Sequence, residues 1–316
     1  MNLSNCHFSF CRKVEIVLVL RCTFPVNQKL NPDKYEAIFR QMCKTRNIKI
    51  LNLQGNSLSS VDPELFGSAV SRVHSANLRG TRLCEHMLVS LFTELAEAEE
   101  NQHLLELDIS YNFQMENVCP NIFSAAVVRL SSVNLKMCRL HPVHITKMIE
   151  SAVSGNSQLR DVNLSDNLVC LIDDHQNQNL AVFVSQLRSA NFSFCRLRSD
   201  QLEAILVQLN QTEHQLVDLD LGADDLSSVS PEVITAAIRG VEKVSLLSCK
   251  LTAQLQTAIF HLLTKPGDGV SKLKHLDLRC NPDDGRARMY ARSKAISEEL
   301  LSKVSNKIPV FKHGEL

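Results

Sequence analysis

The sequence predicts an α/β fold: a right-handed, horseshoe-like solenoid with a parallel sheet on its concave side and helices on its convex side. Three observations predict it. An eleven-residue pattern, apolar-x-x-apolar-x-apolar-x-x-(Asn/Cys)-x-apolar, recurs about ten times. Its copies alternate between two classes, each returning after 54 to 59 residues, so one unit is about 28 residues long. Between copies, apolar residues keep the spacing of an amphipathic helix.

Residues 1–13 read as an irregular edge or a truncated repeat. Leu3, Cys6 and Phe8 suit a short strand, but Cys6 lies only 16 residues before Cys22, too near for a full unit. Repeats fill 14–285. In the first strand the outward positions Ile16, Leu18 and Leu20 are all apolar, where a later strand carries Asp161, Asn163 and Ser165. A parallel strand that is apolar on both sides is buried on both sides. This edge is therefore expected to be covered.

The clearest copies run Ile48, Leu51, Leu53, Asn56, Leu58, then Leu130, Val133, Leu135, Cys138, Leu140, then Leu159, Val162, Leu164, Asn167, Val169. Two more centre on Cys195 and Cys249, and weaker ones on Cys22, Thr81, Asn112, Asp224 and Asn281. In each, leucine-x-leucine reads as a short strand with alternate side chains inward. The ninth residue sits in the turn, where a small polar group can satisfy backbone left unpaired at the strand end.

A helix follows each turn. Asn31-Pro32 and Asp62-Pro63 read as cap plus first-turn proline, and Ser199 and Thr252 as caps without one. Ile145, Met148, Ile149 and Ala152 share one helix face, as do Leu202, Ile205, Leu206 and Leu209. The segment 59–64 returns nearly unchanged as 227–232. Residues 286–316 form a capping helix and tail, with a helix over Arg286–Lys307 that turns Ile296, Leu300, Leu301 and Val304 inward. Its basic residues Arg286, Arg288, Arg292 and Lys294 read as a solvated face. Neither a strand nor a helix of one unit buries its apolar side alone, so the stacking of neighbours makes the core.

Alternating Asn-type and Cys-type units of this length resemble the ribonuclease-inhibitor class of leucine-rich repeats, similar to the C-terminal repeat region of NOD-like receptors. The resemblance covers 14–285. It implies a non-catalytic scaffold that binds a protein partner on the concave face, in innate immune recognition or regulation. Two relatives of this class, the Ran GTPase activators and the filament-capping tropomodulins, supply the alternatives. The chain lacks the long acidic tail of the first, and no phosphate-binding GxxxxGK[ST] loop occurs.

Charge narrows the partner. With 34 basic and 34 acidic side chains the chain is formally neutral, which disfavours nucleic acid, since phosphate binding needs clustered cations. It also disfavours a ribonuclease as partner, because a basic target calls for an acidic binder. No apolar stretch is long enough for a membrane span, and Val14–Leu20, interrupted by Glu15, does not suit a signal peptide. The 11 cysteines, odd in number and without a CxxC pair, read as buried free thiols of a cytoplasmic protein. His141 and His144 have metal-ligand spacing but lack companions, and the segment 267–272 lacks the spacing of a phosphate loop. No cofactor, metal or small-molecule substrate is expected.

The candidate site lies on the outward strand positions. Asn52, Asn77, Asp108, Asn134, Asn163, Asn191, Asp220, Ser245 and Asp277 form a ladder of small polar residues, best read as backbone support. Beside it, Arg79, Tyr111, Lys136, Met137, Phe194 and Arg279 are large side chains on a polar face. Interface energy concentrates on such groups, so these six are the expected partner contacts.

Overall fold

The structure is a computed structural model. It describes residues 7–11, 15–19, 32–44, 48–98, 104–155, 157–265, 271–281 and 296–313. Cys6, Leu20, Cys22, Asn31, the basic cluster 286–294 and most of the 267–272 segment lie outside them. The chain divides into two compact units, residues 1–163 and 164–316.

In the first unit, β1 (His7–Cys11) runs antiparallel to β2 (Glu15–Val19). Parallel strands follow in chain order: β3 (Ile48–Asn52), β4 (Ser75–Asn77), β5 (Glu106–Asp108), β6 (Ser132–Asn134) and β7 (Asp161–Asn163). The helices between them are α1 (Pro32–Lys44), α2 (Pro63–Val70), α3 (Glu85–Ala96), α4 (Pro120–Val127) and α5 (Pro142–Ser154), each packed on the next. The middle residue of each short strand points at these helices: Ala76, Leu107, Val133 and Val162 are all buried. Leu53, Leu78, Ile109 and Leu135, two positions on, are wholly buried. Phenylalanines from successive helices meet edge to face, Phe39 on Phe66 at 5.7 Å and Phe92 on Phe123 at 5.2 Å. Rings in that geometry gain about 0.5–1.5 kcal/mol beyond their buried area.

The register corrects one expectation. Leu18 aligns with Leu51, a core residue, and is itself buried, so it points inward rather than outward. The β2–β3 register shifts between Ile16 and Val17. A slip of one residue exchanges the two faces of a strand, and periodicity alone does not reveal a bulge. β1 pairs along the free edge of this strand, from His7 opposite Val19 to Cys11 opposite Glu15.

The second unit carries α6 (Asn177–Gln186), α7 (Ser199–Gln211), α8 (Pro231–Arg239), α9 (Ala253–Thr264) and α10 (Glu298–Lys307). Its parallel strands are β8 (Ser189–Asn191), β9 (Asp218–Asp220), β10 (Lys243–Ser245), β11 (His275–Asp277) and β12 (Val310–Lys312). The strand β12 was not evident in the sequence, for three residues beyond a helix carry no periodic signal. In α10, Leu300 and Val304 are buried, with Ile296 just ahead of the helix.

Helix starts follow the cap chemistry. The carboxylate of Asp62 accepts from the Leu65 N–H at 2.8 Å, Ser230 from Val233 at 3.3 Å, and Thr252 from Leu255 at 3.2 Å. Ser199 is not a cap. It is the first helical residue, preceded by Arg198, whose N–H is held by the Gln201 side chain at 3.0 Å.

Candidate partner-binding surface

The surface is built at the ends of the strands. In the outward ladder, a carboxyl or amide oxygen accepts the backbone N–H two residues on at Asn77 from Arg79 at 3.1 Å, at Asp108 from Ser110 at 2.9 Å and at Asn134 from Lys136 at 3.1 Å. The second unit repeats this at Asn191, Asp220 and Asp277. The ladder therefore closes each strand into its turn, a backbone role that a small Asn or Asp fills well.

The third residue after the ladder position adopts a left-handed conformation in every described repeat. Gly55 and Gly80 have φ of 74° and 60°, and Tyr111, Met137, Asp166, Phe194, Ala223, Ser248 and Cys280 lie between 52° and 65°. The cause is the stack. The N–H of Tyr111 donates to the Lys136 carbonyl of the next unit at 3.0 Å, as Gly80 donates to Ser110 and Phe194 to Gly222. Holding that bond while the chain leaves the strand turns φ positive. Glycine fits without strain; other residues do so at a cost of about 1 kcal/mol or more.

The ninth residue follows, buried under the turn. Nδ2 of Asn112 donates to the carbonyls of Ile109 and Leu78, both at 2.9 Å, while its oxygen accepts from the Leu83 N–H at 3.0 Å. Thiols of Cys138, Cys195 and Cys249 donate to Ile109, Leu164 and Leu221 carbonyls at 3.1 to 3.3 Å. In the cysteine-class units a basic residue comes next, again left-handed: Arg82, Arg139, Arg196 and Lys250, with φ from 52° to 57°.

Four of the six predicted contacts, Arg79, Tyr111, Lys136 and Met137, fall at the ends of β4–β6 in the first unit. Phe194 and Arg279 fall at the ends of β8 and β11 in the second. Met137 and Phe194 are 41% and 54% exposed. The Arg79 guanidinium lies over the Tyr111 ring, 4.6 Å from its centre. Arg279 differs, because its guanidinium clamps Asp277 with contacts of 2.7 and 2.9 Å.

Sequence reasoning missed Arg82, Phe113 and Arg139. Phe113 is 38% exposed and carries the Arg139 guanidinium 5.0 Å from its ring centre. All three lie two residues beyond the turn position of Gly80, Tyr111 and Met137, and the available signal was that shared spacing.

The chain matches no family model and no curated protein. Among solved structures it is similar to the leucine-rich repeat-containing protein LegL7 from Legionella pneumophila. The TM-score is 0.52 at 16% identity, with 89% of each chain covered. This is a leucine-rich repeat fold.

The chemistry of its repeats is that of packing. Burial pushes the Cys138 thiol up to about 12 and raises Cys195 and Cys249 likewise, which leaves poor nucleophiles. His144 is buried, its Nε2 on the Val118 carbonyl at 2.7 Å, and burial lowers its pKa. Among the described residues no three His, Cys, Asp or Glu side chains are grouped to hold a metal ion, and no helix is long and apolar enough to cross a membrane. A hollow of about 160 Å³ beside β10–β12 is lined by Lys243, Ser245, His275, Asp277 and Lys312. It is well below the ~300 Å³ at which small-molecule sites begin.

Proposed function

We propose that this leucine-rich repeat chain is a non-catalytic scaffold of the cytoplasm that binds a protein partner through its strand face and adjoining turns. One observation carries the reading. Large apolar side chains stand exposed at Phe113, Met137 and Phe194, and the last two occupy left-handed turn positions where glycine would be less strained. Exposure and strain both oppose stability, so a gain on binding accounts for them better than folding does. The finer form of the proposal is ligand sensing or regulation in innate immune recognition. Its support is the alternating unit of about 28 residues, which resembles NOD-like receptor repeats.

Photo-cross-linking tests it. A benzophenone amino acid at 137 or 194 should trap a partner in cells, and the same group at Glu203, on the exposed face of helix α7, should not. Trapping from the helix position alone would overturn the proposal. Stimulated GTP hydrolysis by any small GTPase on addition of the purified chain would replace the scaffold with an activator.

A further inference from the structure

Cations at the turns differ in their partners, and Arg196 of the second unit is exposed with no ion pair among the described residues. In the second unit Lys250 pairs with Asp225 at 2.6 Å and Arg279 with Asp277 at 2.7 Å. In the first unit, Arg79, Arg82 and Arg139 make no ion pair among the described residues, and all three are exposed. Two of them have the guanidinium carbon over an aromatic ring, Arg79 at 4.6 Å from the centre of Tyr111 and Arg139 at 5.0 Å from that of Phe113. A ring beneath a guanidinium restrains it without consuming its N–H donors, which stay available to grip a carboxylate with two hydrogen bonds.

The surrounding charge is segregated in the same sense. From Asn77 to Arg82, Asp108 to Phe113 and Asn134 to Arg139 the sequence places four cations and one carboxylate. That carboxylate, Asp108, is committed to the Ser110 N–H and hydroxyl and to the Asn134 amide. The region's other acids lie elsewhere, such as Glu85 and Glu94 on helix α3 and Glu106 at the start of β5. Strands β4, β5 and β6 are consecutive and parallel. Equivalent positions two strands apart are therefore roughly 10 Å apart, about three residues of an extended chain.

Resting on the scaffold reading and naming its partner, we propose that the turn edge of β4–β6 receives an extended acidic segment of a partner protein. Arg79, Arg82 and Arg139 take its carboxylates, and Met137 and the edge of Phe113 meet an apolar side chain between them. Nucleic acid fits less well. Each ring already has a guanidinium over one face, which competes with base stacking, and the chain as a whole is neutral.

The test presents the full chain to a phage-displayed library of random peptides, beside the doubly reversed variant Arg79→Glu/Arg139→Glu and the control Lys250→Ala. Circular dichroism melts verify folding of each. Peptides selected on the parent should be enriched in Asp and Glu with an interspersed apolar residue. They should bind the reversed variant at least ~10-fold more weakly, bind the control unchanged, and weaken with added salt. Selection without acidic enrichment, or equal binding to the reversed variant, overturns the inference. So does a labelled oligothymidine that binds more tightly than the peptides. If benzophenone at 137 or 194 still traps a partner in any of these cases, the acidic-segment inference falls and the scaffold reading stands.

Discussion

Asp224 stands where Asn56, Asn112, Asn167 and Asn281 stand in the other units of its class, and the difference of one atom has a consequence. In the asparagines, Nδ2 donates to the carbonyl three residues back, at 2.8 to 2.9 Å. A carboxylate oxygen cannot donate. Oδ1 of Asp224 accepts from the Leu197 N–H at 2.7 Å, while buried Oδ2 has no partner. Burial pushes this pKa up to about 7, the Leu197 N–H opposing and nearby Asp220 adding to the rise. An unfolded aspartate titrates near 3.9, so between about pH 4 and 7 the folded chain holds a proton that the unfolded chain has lost. Stability must fall as pH rises through that window, by up to a few kcal/mol. Asp224→Asn restores the donor. Urea melts should show it more stable than the parent at about pH 8, with the gain vanishing near pH 4; an equal gain at both would refute the protonated acid. A simpler residue-scale expectation concerns Leu246, wholly buried. Leu246→Ala should cost ~2–5 kcal/mol by the same melts.

At the scale of elements, the helix layer is set by close approach. A Cβ on Gly67 of α2 would lie 2.3 Å from the Ser90 hydroxyl oxygen and 2.9 Å from the Ser90 backbone carbon of α3. The hydroxyl can rotate away, but the backbone cannot. Alanine in place of glycine favours an isolated helix by about 1 kcal/mol, whereas overpacking costs typically 1–3 kcal/mol. The clash should prevail: Gly67→Ala is expected to lower the melting temperature, and a rise would show that α2 and α3 can separate freely. Element boundaries were legible in the sequence where capping chemistry was explicit, as at Asp62-Pro63 and Thr252. They were misread where a backbone irregularity intervened. The register shift between β2 and β3, where the pairing skips Lys49 of β3, went with an inward Leu18, and Arg198 took the place before α7 that Ser199 was expected to hold.

Over the whole molecule, the cysteines give the broadest check. Cys138, Cys195 and Cys249 are buried, whereas Cys119 and Cys280 are exposed. Brief alkylation of the native chain, read by peptide mass spectrometry, should label the exposed pair and spare the buried three until denaturant is added. Early labelling of Cys138 would contradict the packing of the repeats. The period of the sequence by itself determined the unit length, the strand-and-helix content and the leucine core, because burial of one face leaves its mark on residue type at a fixed spacing. It also pointed to Tyr111, Met137 and Phe194 as large groups on a polar face. Only the tertiary structure decided the left-handed turn and the guanidiniums on their rings. The turn is imposed by a hydrogen bond to the next unit, and Arg139 meets Phe113 across 26 residues of chain. Contacts of that kind depend on stacking, and no local pattern of residues records them.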